Sequence, residues 1–391
     1  MTPTLPDPLF PLTEEEEQII AQTHKVCQKE VVPIRAELDE QAEYPDRVFD
    51  AFREIGLFEA MFEAEYGGLG LRPFMTTRIM ETIAQYCLGV ATSFGASTSL
   101  AALPIKLGGT PEQRKRFLPD LASGKRIGAL AVTEPNAGSD ILNQATTAVR
   151  KGETYLLNGT KQWITNAGRA DLYCVFAATG QKGGLSCFVL EKGTPGLSFG
   201  KLEHKLGIRC SHTRQVIMED VSVPAENLLG LKPNRGLLHL LRTLNRSRAG
   251  VAAMAVGVAT GAYREAVRYA RQRQQFGQSI IRFQALQHML SDMWMRIEAA
   301  RTLAYRAGIY AYAEHPESGA FSAMAKCHAS ETAMQVTIDA VQLLGGYGYC
   351  KEYPVEKMFR DAKILSIYEG ANQVLRNQIA EQIVRTSASW A

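Results

Sequence analysis

Apolar and polar residues follow three different patterns in three successive regions of the chain. From 13 to about 124, apolar residues recur at helical spacing, and Thr13 with Glu16 forms a capping box that predicts the start of the first helix. From about 126 to 232, short alternating or β-branched runs are separated by Gly and Asn turns, which predicts strands. From about 235 to 385 the helical period returns in long segments with few breakers.

These patterns predict a mainly α fold with a central β-domain. Because 391 residues are too many for one simple core, several packed units are expected. We predict an N-terminal helical domain over 1–125, a middle β-domain over 126–234 and a C-terminal helical domain over 235–391. The spacing of the short strands favours a small antiparallel barrel or sandwich in the middle domain.

The composition indicates a soluble globular protein, with 46% hydrophobic and 21% charged residues. The net charge of +3 is too small to suggest nucleic acid or a membrane surface as a partner. No stretch reaches the roughly 20 apolar residues of a membrane helix, and the N-terminus lacks the pattern of a leader peptide. Seven cysteines without a CxxC pair suit reduced thiols. We expect a cytoplasmic protein in a bacterium, or a mitochondrial-matrix protein in a eukaryote.

Several well-known motifs are absent from the sequence. There is no GxGxxG after a strand and no GxxxxGK[ST], GxSxG or HExxH, and no Cys or His pair has metal-ligand spacing. A Rossmann dehydrogenase, a P-loop enzyme, a triad hydrolase and a zinc enzyme are therefore poorly supported, and we predict no metal site.

Five stretches stand out instead. They are "AVTEPNAGSD" (131–140), "KQWITNAG" (161–168), "RQRQQFG" (271–277), "QLLGGYGYCKEYPVEKMFRD" (342–361) and "ILSIYEGANQV" (364–374). Each is weak when taken alone: by composition, Trp163 is a core aromatic, and 131–140 is a polar loop that satisfies its own backbone. The last stretch raises a question, because Glu369 follows an apolar and aromatic run and carboxylates are rarely buried without a partner.

Together these stretches resemble the acyl-CoA dehydrogenase family over nearly the whole chain. The first matches the "TEP.AGSD" core of one family signature, and 342–361 matches the second signature at every specified position. The resemblance implies an N-terminal helical domain, a middle β-barrel and a C-terminal four-helix bundle. It also implies FAD held between domains and shared across subunits of a homotetramer, a dimer of dimers.

The resemblance assigns the FAD contacts to two groups of residues. Val132 and Thr133 would contact the pyrimidine side of the flavin ring, Thr165 would lie near N5, and Trp163 would cover one ring face. A second group would bind the pyrophosphate and adenine end of a neighbouring subunit's FAD. The complete set implied is Leu130, Val132, Thr133, Ser139, Trp163, Thr165, Arg273, Gln275, Phe276, Phe283, Gln284, Gln342, Gly346, Ala371 and Gln373.

Glu369 is the catalytic residue that the resemblance implies. In the branches with a "YEG" glutamate, this residue removes the substrate's α-proton while flavin N5 takes the β-hydrogen as hydride. Apolar neighbours would raise the pKa of the carboxyl and strengthen it as a base. Other branches place the base immediately before the arginine that is Arg248 here. That position holds Ser247, which cannot abstract the proton. The alternative to a catalytic role is that Glu369 is a structural residue which caps the helix starting near Asn372.

The resemblance also implies substrate contacts, from Ser139, Asn245, Arg248, Tyr368, Gly370 and Ala96. Asn245 stands where aspartate is commoner, which leaves free CoA and a carrier-protein thioester both open as substrates. Ala371 replaces the usual threonine, and Asn143 replaces the small residue that closes the first signature.

The segment 87–100 resembles the helix that forms the floor of the acyl pocket. It contains no Lys or Arg, so a dicarboxylyl substrate is disfavoured, because burying an unpaired anion is costly. Gly95, Ala96 and Ser97 either leave space for a neutral acyl chain or only permit close helix packing.

The function implied is dehydrogenation of a saturated acyl-CoA to the trans-2-enoyl-CoA, with electrons passed to an electron-transfer flavoprotein. Two alternatives remain open from the sequence. One keeps the fold but acts on a carrier-protein-bound acyl or aminoacyl thioester, or as an oxidase. The other is a non-catalytic assembly protein.

Overall fold

The computed structural model describes residues 9–180, 184–313 and 315–387. The chain begins with helices that pack around an aromatic core, in which the ring of Phe94 contacts those of Phe49, Phe52 and Phe58. A capping box of Thr13 and Glu16 starts the first helix, as predicted. These helices are α1 (Glu14–Val26), α2 (Arg35–Glu40), α3 (Asp46–Glu54), α4 (Phe74–Ala84), α5 (Leu88–Gly95), α6 (Ala102–Gly108) and α7 (Pro111–Ala122).

One continuous helical run, Leu88–Gly108, is formed by α5, a π-helical turn over Ala96–Ala101 and α6. By length and composition it could cross a membrane, with a mean hydropathy of 1.3 in its most apolar window. The sequence-based expectation that no such stretch exists was therefore wrong. In the structure, 89% of that window is buried inside the protein, which is the environment of a core helix.

The middle region forms a seven-stranded sheet in the order β1-β4-β2-β3-β7-β6, with β5 paired to β4. Its pairing differs in one respect from the predicted antiparallel arrangement, because β1 runs parallel to β4 and β2 meets β4 in parallel at one pair. The helices 88–108 and 111–122 come before β1, so its direction is not set by a hairpin turn. The strands are β1 (Gly128–Ala131), β2 (Thr147–Lys151), β3 (Thr154–Thr165), β4 (Leu172–Ala178), β5 (Leu185–Glu191), β6 (Leu197–Phe199) and β7 (Thr213–Pro224).

Long helices make up the rest of the chain. The longest, α8, contacts α4, α9 and α10, and a run of small buried residues on it allows close packing. Gly257 illustrates this close packing, because a Cβ atom there would lie only 2.3 Å from the Glu81 carbonyl oxygen on α4. The elements are α8 (Gly236–Gln272), β8 (Gln274–Gln275), β9 (Gln278–Ser279), α9 (Gln284–Tyr312), α10 (Ser318–Leu344), α11 (Val355–Ala362) and α12 (Asn372–Ser387).

Two features of this architecture position the site. A short segment between α11 and α12 carries Glu369 across α8 and α10, and the far end of β3 approaches it from the sheet. A buried hydrogen bond connects α11 to the segment before β7: Asp361 Oδ1 accepts from the amide of Ile208 at 2.5 Å, while Asp361 Oδ2 lies 2.5 Å from Lys357 Nζ on the same helix. Lys357 and Asp361, which belong to the signature stretch 342–361, therefore have a structural role.

Candidate active site

The backbone at Glu369 is strained and held by two cations. Glu369 has φ 54° and Gly370 has φ 100°, so both lie in the left-handed region that a glutamate rarely adopts. Arg248 Nε donates to the Glu369 carbonyl oxygen at 2.9 Å, and Lys326 Nζ donates to the Gly370 carbonyl oxygen at 2.7 Å. Charge-assisted hydrogen bonds to consecutive carbonyls offset the strain and fix the direction of the segment.

The carboxylate of Glu369 is hydrogen-bonded to α8. Its Oε2 atom accepts a 2.5 Å hydrogen bond from the hydroxyl of Ser247 on α8. No amide of α12 donates to it among the described residues, which argues against the helix-capping alternative. Burial raises the pKa of Glu369 above its ordinary value, although the Ser247 hydroxyl and the charges of Arg248 and Lys326 act in the opposite direction.

The backbone amide of Glu369 has no hydrogen-bond acceptor within the described part of the chain. Its carbonyl is occupied by Arg248, and the neighbouring amide of Tyr368 donates to Ile364. A buried or half-buried N–H without a partner is costly. This donor is therefore available to a ligand oxygen that lies beside the carboxylate.

Glu369 lines a narrow pocket with a volume of about 40 Å³. Helices α4, α5, α8 and α9 form its walls, and Thr165 at the end of β3 lies at one side. The surface of the pocket is mostly apolar, but hydroxyl groups and one cation interrupt it. Its other lining residues are Thr76, Thr77, Met80, Thr92, Gly95, Ala96, Ser99, Leu100, Arg246, Ser247, Gly250, Val251, Met254, Tyr312 and Tyr368. Such a pocket suits an apolar chain attached to a polar head.

The small residues of the pocket floor are explained individually by their surroundings. A Cβ at Gly95 would lie 2.6 Å from the terminal methyl of Met80, so Met80 already occupies that space. Ser97 is buried, and its hydroxyl accepts a 2.9 Å hydrogen bond from the amide of Gly128 in β1. Ser97 thus serves packing, whereas Gly95 and Ala96 both line the pocket. The cation on this pocket, Arg246, comes from α8 and lies outside the 87–100 segment.

Next to the pocket, the end of β3 bulges outward. The pairing of β3 with β7 shifts between Lys161 and Ile164, and Trp163 has φ 57° with 60% of its surface exposed. Trp163 is therefore not the core aromatic that its composition suggests. An exposed indole in a strained conformation beside Thr165 is placed to lie against a flat ligand.

A buried ion pair fixes this strand to the loop after β1. Lys161 Nζ is fully buried and donates to Glu134 Oε1 at 2.7 Å and to the Val132 carbonyl oxygen at 3.1 Å. Glu134 also accepts hydrogen bonds from two loop amides, of Ala145 and Thr146. The amide of Gln162 donates to the Thr133 carbonyl oxygen at 2.7 Å. These hydrogen bonds fix Val132 and Thr133 next to the Trp163 bulge.

A second and wider pocket, with a volume of about 430 Å³, lies near the C-terminal end of α8. It brings together Arg273, Gln275 and Gly346, three of the residues that were assigned to the pyrophosphate and adenine end. A Cβ at Gly345 or Gly346 would meet no atom within 4 Å, so the backbone there is open to a ligand. Phe276 lies 92% exposed with its ring 6.0 Å from that of Phe283, and Gln342 is exposed in the last turn of α10.

The remaining predicted residues are spread around the two pockets. Leu130 belongs to β1, and Ser139 is exposed in the loop that follows. Asn245 is half-buried on α8, where its side chain lies beside Gly319. Ala371 and Gly370 precede α12, while Gln373 is exposed on α12 and Gln284 is exposed at the start of α9.

Sequence reasoning missed two residues that contact the Glu369 segment. Ser247 was considered only as a missing base, and Lys326 was not considered. A signal for Lys326 existed, because it is a lone charge in "AFSAMAKCHAS", a run of small residues on a helix that must pack closely. The structure buries it fully, and this burial lowers the pKa of Lys326 to about 8.

Comparison with known proteins gives matches along almost the entire chain. Models of the N-terminal, middle and C-terminal domains of acyl-CoA dehydrogenase match residues 13–125, 129–221 and 234–384. The short-chain-specific acyl-CoA dehydrogenase of Clostridium acetobutylicum is 44% identical over 379 residues, which is 96% of this chain and 100% of that protein.

Solved structures show the same similarity. Butyryl-CoA dehydrogenase from Megasphaera elsdenii has a TM-score of 0.93 and 41% identity, covering 96% of this chain and 99% of that one. A chain in the structure of the electron-transferring flavoprotein of Acidaminococcus fermentans also has a TM-score of 0.93, with 44% identity and the same coverage. An acyl-CoA dehydrogenase from Bacillus anthracis solved with FAD has a TM-score of 0.91 and 36% identity, over 97% of this chain and 68% of that one.

Two features of the structure suit the binding of FAD. An exposed, strained Trp163 flanks Thr165 at the mouth of the Glu369 pocket, and an aromatic face of this kind suits a flavin ring. In the second pocket, Arg273 lies beside open glycine backbone, a combination that suits a pyrophosphate group.

Proposed function

Because the chain belongs to the acyl-CoA dehydrogenase family, we propose that it removes hydrogen from the α- and β-carbons of a saturated acyl-CoA to give the trans-2-enoyl-CoA. The protein is an oxidoreductase that depends on FAD. When bound, FAD supplies the acceptor for the β-hydride. The observation that carries the proposal is the desolvated carboxylate of Glu369 beside an unpartnered amide in a largely apolar pocket.

Glu369 would act as the base. An α-hydrogen next to a thioester is weakly acidic, so a carboxylate with a raised pKa is better matched to it than a solvated one. The amide of Glu369 would donate to the thioester carbonyl oxygen as negative charge develops there. Arg248 and Lys326 hold the two backbone carbonyls, so carboxylate and amide keep their directions relative to the substrate.

The substitution Glu369→Gln tests the proposal. It keeps the size of the side chain and removes its basicity, so the variant should retain FAD and bind acyl-CoA. Anaerobic titration with a panel of saturated acyl-CoAs should bleach the flavin absorbance of the wild type, and bleaching by the variant should be at least about 10³-fold slower. Full-rate bleaching by Glu369→Gln would exclude this residue as the base.

The electron acceptor is a separate part of the proposal. We propose an electron-transfer flavoprotein, and the support is the 44% identity to a chain in the structure named for such a flavoprotein. Reoxidation of the reduced enzyme should be fast with an electron-transfer flavoprotein and slow with dioxygen. The reverse order would favour the oxidase alternative. A carrier-protein thioester that bleaches the flavin faster than every free acyl-CoA would favour the other alternative.

We also propose that each FAD is shared between two copies of the chain within a homotetramer. The support is the distance between the two pockets, because α8 advances about 38 Å from Ser247 to its end at Gln272. We therefore expect the Glu369 pocket and Arg273 of the same chain to contact different FAD molecules. Exposed aromatic side chains near the second pocket, Phe276 (92%) and Tyr349 (85%), suit contact with another copy.

A further inference from the structure

The hydroxyl of Ser247 makes its shortest contact with the base. It lies 2.5 Å from Glu369 Oε2, against 3.4 Å from the carbonyl oxygen of Leu244 one turn earlier. A hydroxyl has one hydrogen to donate, and a carboxylate is the stronger acceptor. Since Ser247 is only 5% exposed, water does not compete well for this hydrogen bond.

The two carboxylate oxygens of Glu369 have different surroundings. Oε2 is bonded to Ser247, while no described residue donates to Oε1. The next residue on α8, Arg248, holds the carbonyl oxygen of the same glutamate. Two consecutive residues of one helix thus fix both the backbone and the side chain of Glu369, and the side chain lines the pocket.

We propose that Ser247 is a positioning residue which anchors Oε2 of Glu369 and leaves Oε1 to take the α-proton. The inference rests on the proposed function. The proton passes from the substrate α-carbon to Oε1, and the electron pair of the broken C–H bond remains with the substrate. Ser247 keeps its own proton throughout and exchanges nothing with the substrate.

The same hydrogen bond sets the protonation of the base. Burial opposes the charged form of Glu369, and the charged groups that favour it are Arg248 on α8 and Lys326 on α10. Tyr368 on the base segment and Arg246 on α8 line the same pocket. Ser247 is the neutral donor in this set, so its removal leaves in place the hydrogen bonds from Arg248 and Lys326 to the backbone carbonyls. A hydrogen bond to a charged group corresponds to about one to two pH units.

The experiment compares Ser247→Ala with Ser247→Thr, which keeps the hydroxyl. With butyryl-CoA as substrate, the pH at which anaerobic flavin bleaching reaches half its maximal rate should rise by about one to two units in Ser247→Ala. It should stay within about 0.5 unit of wild type in Ser247→Thr. Thr243→Ala removes another buried hydroxyl from α8, outside the pocket, and should leave the pH profile in place.

A second measurement needs no substrate. Infrared difference spectra of the FAD-bound protein against pH, with Glu369→Gln as the reference, follow the protonated carboxyl of Glu369 and should show the same upward shift in Ser247→Ala. If Ser247→Ala folds poorly, Ser247→Cys replaces it, because a thiol is a weaker donor and predicts an intermediate shift. An unchanged titration in these variants overturns the role of Ser247 even when the wild type bleaches. A shifted titration in a protein that no acyl-CoA bleaches supports the hydrogen bond and contradicts the proposed function.

Discussion

Glu369 carries two unfavourable features in one residue. Its backbone is left-handed, which costs of order 1–2 kcal/mol for a residue with a side chain. Its carboxyl is desolvated, so ionisation is opposed by the fold. Neither feature benefits the core, and three polar side chains, Ser247, Arg248 and Lys326, are used to hold this segment. Such local costs are expected at catalytic residues.

The free energy of unfolding should therefore increase when Glu369 is replaced by Gln at neutral pH. A carboxyl whose pKa is raised by folding stabilises the protein at low pH, and this contribution is lost as the pH rises through the folded-state pKa. Gln cannot ionise, so the advantage of Glu369→Gln should grow as the pH rises from 4 to 8. Urea unfolding at a series of pH values measures it, with the exposed Glu352→Gln as the control. A larger advantage at pH 4 than at pH 8 would contradict the pKa direction.

At the scale of elements, the sequence predicted what depends on neighbours in the chain. The capping box of Thr13 and Glu16 starts α1, and the three successive patterns of apolar and polar residues correspond to helices, strands and helices. Pairing between distant segments was not predictable. The parallel contact of β1 with β4 depends on the path of the helices before β1, and the bond from Ser247 to Glu369 joins residues 122 positions apart. Trp163 illustrates the same limit, because a bulge in β3 turns an aromatic residue outward.

The buried ion pair of Lys161 and Glu134 connects β3 to the loop after β1. Lys161→Met should destabilise the protein by about 3 kcal/mol or more, because it leaves the Glu134 carboxylate buried without its counter-charge. Denaturant unfolding measures this loss. Lys192→Met is the matched control, since Lys192 is exposed and makes one hydrogen bond to a carbonyl, and its cost should be within about 0.5 kcal/mol of zero. Equal effects of the two substitutions would show that burial of the pair is energetically unimportant.

At the scale of the whole molecule, two groups of candidate FAD residues lie at opposite ends of α8. The first reaches the Glu369 pocket through Thr165, and the second includes Arg273, about 38 Å along α8 from Ser247. The motifs of the sequence indicate both groups and say nothing of the distance between them. That distance is the basis of the proposal that the second group comes from another copy of the chain.

Co-expression of two inactive variants tests this proposal. Glu369→Gln lacks the base, and Arg273→Glu places a negative charge where a pyrophosphate would bind, so each homomeric protein should be inactive. In a mixed assembly with shared sites, one site combines both defects, and the other combines the intact Glu369 of one copy with the intact Arg273 of its neighbour. Flavin bleaching by acyl-CoA should therefore return to as much as about a quarter of the wild-type amount, because random pairing makes half of the assemblies mixed. If every site were built from one chain, each would keep one of the two defects, and the co-expressed protein would remain inactive.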